Sequence, residues 1–244
     1  MKTQSNQANI LKSLHIKGNP LILINIWDAG SAKVVQENGS KAIATSSWSV
    51  AASHGYEDGE KIPFNLVLEN LKRIIANTTL PVTVDIEGAY GKTLTEIQDN
   101  VSNVLELDVA GINFEDQIIG GTALYPIEKQ CTRIKALREL SDNIFINART
   151  DIFFKSKANE HTLKEAISRA QHYADAGADG FFVPGLTYPD YIKKLCESSP
   201  IPINIMMSSD MNSLKQLAEL GVARISYGPE PYCKMMDALR RYKL

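Results

Sequence analysis

The chain has 244 residues, 44% of them hydrophobic and 22% charged, with a formal net charge of −2. That length suits one α/β barrel of about 250 residues, and the composition is that of an ordinary globular protein. The near-neutral balance excludes a global pull toward nucleic acid or anionic membrane, so any recognition of anions has to be local.

Residues 1–19 are polar and amphipathic and lack the apolar stretch of a signal peptide, and 8–15 predicts an extra N-terminal helix. The first apolar run, 21–26, predicts a strand, followed by a helix over 31–38 with Gly39 as its C-terminal cap. A strand over 41–46 precedes a helix over 64–77 that gathers Leu66, Leu68, Leu71, Ile74 and Ile75 near one face. Strand 81–86 and helix 93–107 follow, then strand 111–115 and a helix over 126–140 with Pro126 at its first position. Strand 143–148 leads to helix 161–176, ended by Gly177, and strand 180–183 to helix 188–196. Strand 201–205, helix 213–220, strand 223–226 and helix 231–242 complete the chain. The strand candidates are rich in Val, Ile and Phe with little polar alternation, as in parallel strands buried on both faces. Eight strand–helix units predict a single (β/α)8 TIM-type barrel over 1–244. An open doubly wound sheet is the alternative, but usually has fewer strands. Cys131, Cys196 and Cys233 are scattered and odd in number, which fits a reducing cytoplasm better than a disulfide framework or metal motif. Cys131 aligns with Ile127 and Ile134 at helical spacing and reads as core. No apolar run reaches the roughly 18 residues of a membrane span.

In such a barrel the active site forms where the strands end. Asp85 and Glu87, two apart, point to one side if both lie on the third strand, and Glu115 with Asp116 arrives from the fourth. Crowded carboxylates repel unless a cation or protons compensate, and hard oxygen ligands suit Mg²⁺ or Mn²⁺. The alternative is that they are solvated acids or salt-bridge partners of Arg149. Arg149, at the end of the fifth strand, can grip a carboxylate with two parallel hydrogen bonds, or form a structural pair with Asp151 or Glu115. The turn Ser46-Ser47-Trp48-Ser49 offers donors for a substrate carboxylate or enolate oxygen, or satisfies its own loop. Asp58 either reaches a metal through water or is a turn residue before Gly59. The seventh strand carries Asn204. His54 is a candidate acid/base group or merely an exposed histidine. Gly120-Gly121 gives hinge freedom for a lid, or a plain turn.

Taken in order, Asn25-Ile26-Trp27-Asp28-Ala29, the Ser46–Ser49 turn, Gly55-Tyr56-Glu57-Asp58, Val84-Asp85-Ile86-Glu87, Gly111-Ile112-Asn113-Phe114-Glu115-Asp116 and Asn147-Ala148-Arg149-Thr150-Asp151 resemble the motifs of the isocitrate lyase/phosphoenolpyruvate mutase superfamily. The stretch 120–130 resembles its phosphonomutase-like branch. The resemblance implies Asp85 as direct Mg²⁺ ligand, with Glu87 and Glu115 holding metal-bound waters and Asp58 close by. It implies that Arg149 binds the substrate carboxylate or oxyanion, and that Ser46, Ser47 and Trp48 cradle the substrate, with Asp85 and Asn204 beside it. The shared chemistry is a pyruvate-type enolate bound to the metal. Candidate proton donors are a metal-bound water, Tyr90 and His54. After the fourth strand the lyases carry a Lys-(Lys/Arg)-Cys-Gly-His run, whereas this chain has Asp116-Gln117-Ile118-Ile119-Gly120-Gly121-Thr122-Ala123-Leu124. This argues against isocitrate or methylisocitrate cleavage by the usual route. The Lys and Asn-Ser pair of the phosphonopyruvate-forming mutases are also missing. The reading is therefore a cytoplasmic, Mg²⁺-dependent lyase or decarboxylase acting on a small 2-oxo or 2-hydroxy carboxylate, with no nucleic-acid or membrane partner. Phosphorus–carbon bond chemistry is one alternative, and a non-catalytic 2-oxo acid binding barrel another. The resemblance also implies a homo-oligomer, dimer or tetramer, in which many relatives exchange the eighth helix.

Overall fold

The computed structural model describes residues 4–208 and 213–242. Among them, β1 (Leu21–Leu23), β2 (Asn25–Ile26), β3 (Ile43–Thr45), β4 (Val82–Asp85), β5 (Gly111–Glu115), β6 (Phe145–Arg149), β7 (Gly180–Phe182), β8 (Ile203–Met206) and β9 (Arg224–Ser226) are all parallel. Their order, β1-β9-β8-β7-β6-β5-β4-β3-β2, runs once around a barrel. The strand expected over 21–26 is broken at Ile24. Its first half pairs with β9 and its second with β3, so this one barrel strand closes the sheet on itself.

Helices α2 (Ala29–Glu37), α4 (Phe64–Ala76), α5 (Leu94–Leu105), α6 (Ile127–Arg138), α8 (Glu160–Asp175), α9 (Pro189–Ser198), α10 (Leu214–Glu219) and α11 (Glu230–Arg240) cover the expected helical segments. Their starts are encoded locally. Asp28, Thr93 and Asn159 each accept from the backbone N–H three residues on and close reciprocal capping boxes at α2, α5 and α8. Two further helices, α3 (Ser47–Ser53) and α7 (Ile152–Lys155), follow β3 and β6 directly. The segment expected as a serine-rich turn is thus the first turn of α3, with Ser46 as the N-cap that receives the Ser49 N–H at 3.3 Å. No helix among the described residues is long and apolar enough to cross a membrane.

Side-chain alternation separates two cores. Ile112, Phe114, Ile146, Ala148 and Ile225 belong to the main apolar layer between strands and helices. The residues between them face the lumen. Arg224 on β9 reaches Asn113 on β5 (Nη2 to Oδ1, 3.3 Å), a bond between strands that are not neighbours. Asn147 donates to the same oxygen at 2.8 Å. The lower end is plugged by α1 (Gln4–Ser13), whose fully buried Leu11 packs with Leu21, Leu23, Ala42, Ala44, Ala110 and Phe145. Gly111 makes room for this plug: a Cβ there would stand 2.8 Å from Leu11 Cδ2 and 2.9 Å from the Phe145 carbonyl. With its amino end stoppered and its middle filled, the barrel is open to ligands at the carboxyl ends of the strands.

Candidate active site at the carboxyl ends of the strands

A cleft of about 180 Å³ opens there. Strands β3 to β6 and the loop after α3 supply Ser46, Ser47, Asp58, Asp85, Asn113 and Arg149 to its wall. Trp48, Phe154, Phe182, Pro184, Met206 and Pro229 also line it. A larger opening of about 570 Å³ lies elsewhere, beside β1 and α2, and contains none of the strand-end acids.

Arg149 is the hub. Its Nε and Nη2 bond both oxygens of Asp151 at 2.6 and 2.9 Å, and its Nη1 lies 2.9 Å from Glu115 Oε2 and 3.7 Å from Asp85 Oδ2. The parallel register of β5 and β6 sets Glu115 directly beside Arg149. Burial alone would weaken the guanidinium's hold on its proton, but the charges of Glu115, Asp151 and Asp85 outweigh it and raise its pKa. Glu115 is raised by burial, against the pull of Arg149. One arginine therefore faces three carboxylates, and Asp58 and Glu87 stand close enough to add to the repulsion. Asp58 is raised first by burial and then by Asp85. Glu87 is pushed up to about 8 by burial and by Asp58, Asp85 and Glu60.

Glu87 is placed differently from the same-side expectation. Strand β4 ends at Asp85, and Glu87, Ala89 and Tyr90 all have positive φ, so the chain turns sharply after the strand. Such left-handed residues cost on the order of 1 kcal/mol each and need support from their surroundings. Glu60 provides it: its carboxylate accepts the Tyr90 N–H at 2.8 Å, and its own N–H donates to Glu87 at 3.0 Å. Tyr90 donates its hydroxyl to the other Glu87 oxygen at 3.2 Å. Glu87 thus lies behind the cleft wall, and Glu60, flagged by no motif, braces it.

The expected four-acid cluster loses one member. Asp116 is fully buried and turned outward to Arg169 (3.0 Å) and the Tyr173 hydroxyl (2.9 Å), a structural pair. Ser47 donates to Asp85 Oδ2 at 3.2 Å, whereas the Ser46 hydroxyl is taken up by Ser49. Trp48, 39% exposed, stands edge-on to Tyr232 of α11. Asn204 is not in the cleft wall; it lies in the lumen, accepting the Ser226 hydroxyl at 3.2 Å. His54 is exposed at the end of α3 and does not line the cleft. Nor does the segment 117–125, which folds into a small hairpin through the Gln117–Leu124 bridge and the Ile118 N–H to Ala123 bond.

Residues beyond the predicted site residues also shape it. Asn25 receives the Tyr227 and Gly228 N–H groups at 3.0 and 2.9 Å, fixing the β9 loop. Asn113 and Asn147 were legible as polar interruptions of apolar strands. Phe154, Phe182 and Met206 were not, because an apolar residue at a strand end looks like core.

Among the described residues no three acid, histidine or cysteine side chains converge as a closed metal cage requires. The donors present are carboxylates in excess of the local positive charge, with Asp85 and Asp58 in the cleft and Glu87 and Glu115 behind. That set fits Mg²⁺, which binds through one or two carboxylates and keeps most of its waters.

Residues 11–243 match the sequence profile of the family described as phosphoenolpyruvate phosphomutase. The uncharacterized protein Rv1998c of Mycobacterium tuberculosis is 35% identical over 219 residues, covering 90% of this chain and 81% of that one. A 2-methylisocitrate lyase of Bacillus subtilis is 30% identical over 208 residues, covering 82% and 67%. The crystal structure of a candidate phosphonomutase from Burkholderia cenocepacia J2315 superposes with a TM-score of 0.94 at 44% identity, covering 96% of this chain and 98% of that one.

Proposed function

This chain belongs to the phosphoenolpyruvate phosphomutase family, within the isocitrate lyase/phosphoenolpyruvate mutase superfamily, and from that premise we propose that it makes or breaks a carbon–carbon bond beside a 2-oxo or 2-hydroxy carboxylate. The observation that carries the reading is the single Arg149 set among Asp85, Glu115 and Asp151 at the barrel mouth. Asp85 would hold Mg²⁺ directly, Asp58, Glu87 and Glu115 would hold it through water, and the ion would supply Lewis acidity to the substrate's 2-oxo oxygen. Arg149 binds the carboxylate or the developing enolate oxygen with the N–H groups that Asp151 and Glu115 leave unused. Asp151 fixes the guanidinium plane by its two-point grip. Ser47 orients Asp85, and the first turn of α3 presents N–H groups and Trp48 to the substrate. Tyr90 donates its hydroxyl to Glu87 and steadies that carboxylate behind the cleft wall.

Carbon–carbon chemistry is preferred because the hairpin after β5 brings no lysine or Asn-Ser pair to the cleft. The 44% identical candidate phosphonomutase favours phosphorus–carbon chemistry as a second reading. Turnover of phosphonopyruvate, and of no other 2-oxo acid or malate-type acid, would select it. The first test is calorimetric titration with oxalate, which mimics a pyruvate enolate, with and without Mg²⁺. Binding that needs Mg²⁺, and that D85A abolishes, is the expected result. Binding that ignores both the metal and D85A would overturn the reading. Metal-dependent binding without turnover of any substrate would reduce it to a 2-oxo acid binding protein.

A further inference from the structure

The cleft is polarised by the order of the strands. Its charged side chains come from β4, β6 and the loop after α3. From β7 round to the end of β9 the wall is Phe182, Pro184, Met206 and Pro229, and Phe154 of α7 leans in from the same side. The Phe154 ring fits over Gly185, where a Cβ would stand 2.9 Å from its Cδ1. Two polar side chains that line this side are engaged: Ser226 donates to Asn204, and Asn25 Oδ1 holds the Tyr227 and Gly228 N–H groups.

Cations are scarcer still. Among the described residues, Arg149 is the one cation lining the cleft. Its Nε and one side of its fork are taken by Asp151 and another N–H by Glu115, so what remains suffices for one carboxylate. Arg224 is fully buried a layer below, behind Asn113 and Ser226, and does not reach the wall. A second carboxylate or a phosphonate lying toward β7–β9 would be stripped of water against phenylalanine, proline and methionine with no counter-charge, an expensive placement for an anion.

We propose that this cleft selects 2-oxo or 2-hydroxy monocarboxylates bearing a short uncharged alkyl tail, with the tail against Phe154, Phe182, Pro184 and Met206. The proposal rests on the reading of the charged side as the carboxylate-binding end. Phe182 and Met206 are its specificity-determining residues, because they occupy adjacent strand ends where a basic residue would admit a diacid.

The experiment is displacement of oxalate, in Mg²⁺, by pyruvate, 2-oxobutanoate, 2-oxopentanoate, 2-oxoglutarate and phosphonopyruvate. Each added methylene that leaves water for an apolar wall strengthens binding about four-fold. Affinity is expected to climb from pyruvate to 2-oxopentanoate, with 2-oxoglutarate, of equal chain length, at least about ten-fold weaker for its unpaired charge. The F154A variant flattens the climb, and M206K turns the preference toward 2-oxoglutarate. A flat series, or tighter binding of 2-oxoglutarate or phosphonopyruvate than of 2-oxopentanoate, overturns the proposal while leaving the carboxylate-binding reading intact. Failure of oxalate itself to bind removes that reading and this proposal together.

Discussion

At the scale of single residues, the barrel's lumen is unusual in its charge. Arg224 is fully buried, with its Nη1 unpartnered among the described residues, and burial lowers its pKa to about 9 although Asp85 opposes the shift. Near the lower end His15 stacks on Phe145 with ring centroids 4.2 Å apart. Burial, and secondarily the Arg224 charge, lowers its pKa from 6.5 to about 3. In the folded state His15 is therefore neutral where the unfolded chain binds a proton. Its contribution to stability is complete above pH 6.5 and declines as pH falls from 6.5 toward 3, with a slope of up to about 1.4 kcal/mol per pH unit. Glu87, raised to about 8, acts in the opposite sense, since the folded metal-free protein holds its proton from pH 4.5 to 8 and loses stability as pH rises through that window. Comparing H15Q with the wild type isolates the histidine. Denaturant midpoints measured from pH 7 to pH 4 should fall less steeply in H15Q, and parallel curves would refute the assignment. None of this was readable in the sequence, where His15 is a polar residue in a polar segment and Arg224 lies in an otherwise apolar run.

Elements are where the sequence spoke most clearly. Strands buried on both faces leave long apolar runs, and caps leave short-range marks that survive any tertiary context. Thr93 and Glu96 satisfy each other's backbone N–H groups at the start of α5, and Glu96 also accepts from Lys92. Replacing Thr93 by Ala should cost about 1 kcal/mol of unfolding free energy, read by urea denaturation, without altering oxalate binding. The misreadings have local causes too. Ser46–Ser49 suits a turn as well as an N-cap, and only the short helix behind it, with Val50 and Ala51 buried, decides for the cap. Glu87 sits two residues after Asp85, but β4 stops, and the Glu60 carboxylate holds the following turn in left-handed conformations.

For the whole molecule, α11 is the least satisfied element. Of its residues only Tyr232 is buried, while Met235 and Leu239 are 55% and 63% exposed, and Tyr242 just beyond it is 83% exposed. The groove of about 570 Å³ beside β1 and α2 is lined by Leu14, Ile16, Pro20, Leu21, Ile22, Ile24 and Val35, together with Asn19, Asn38, Gly39, Ser40 and Lys41. An exposed apolar helix face and an open groove with an apolar side on one chain predict self-association, with α11 of a second copy as the occupant. Light scattering should report a dimer or higher multiple, and M235E/L239E should reduce its mass to a monomer's; a monomeric wild type would end the idea. The barrel, its eight units and the strand ends carrying Asp85, Glu115 and Arg149 were legible along the chain, because hydrophobic period and strand-end chemistry are local properties. Tertiary packing settled which acids share the cleft, sending Asp116 outward to Arg169 and Glu87 behind the wall. It also set apolar β7–β9 opposite charged β4–β6, because closing the barrel joins residues that no spacing along the chain relates.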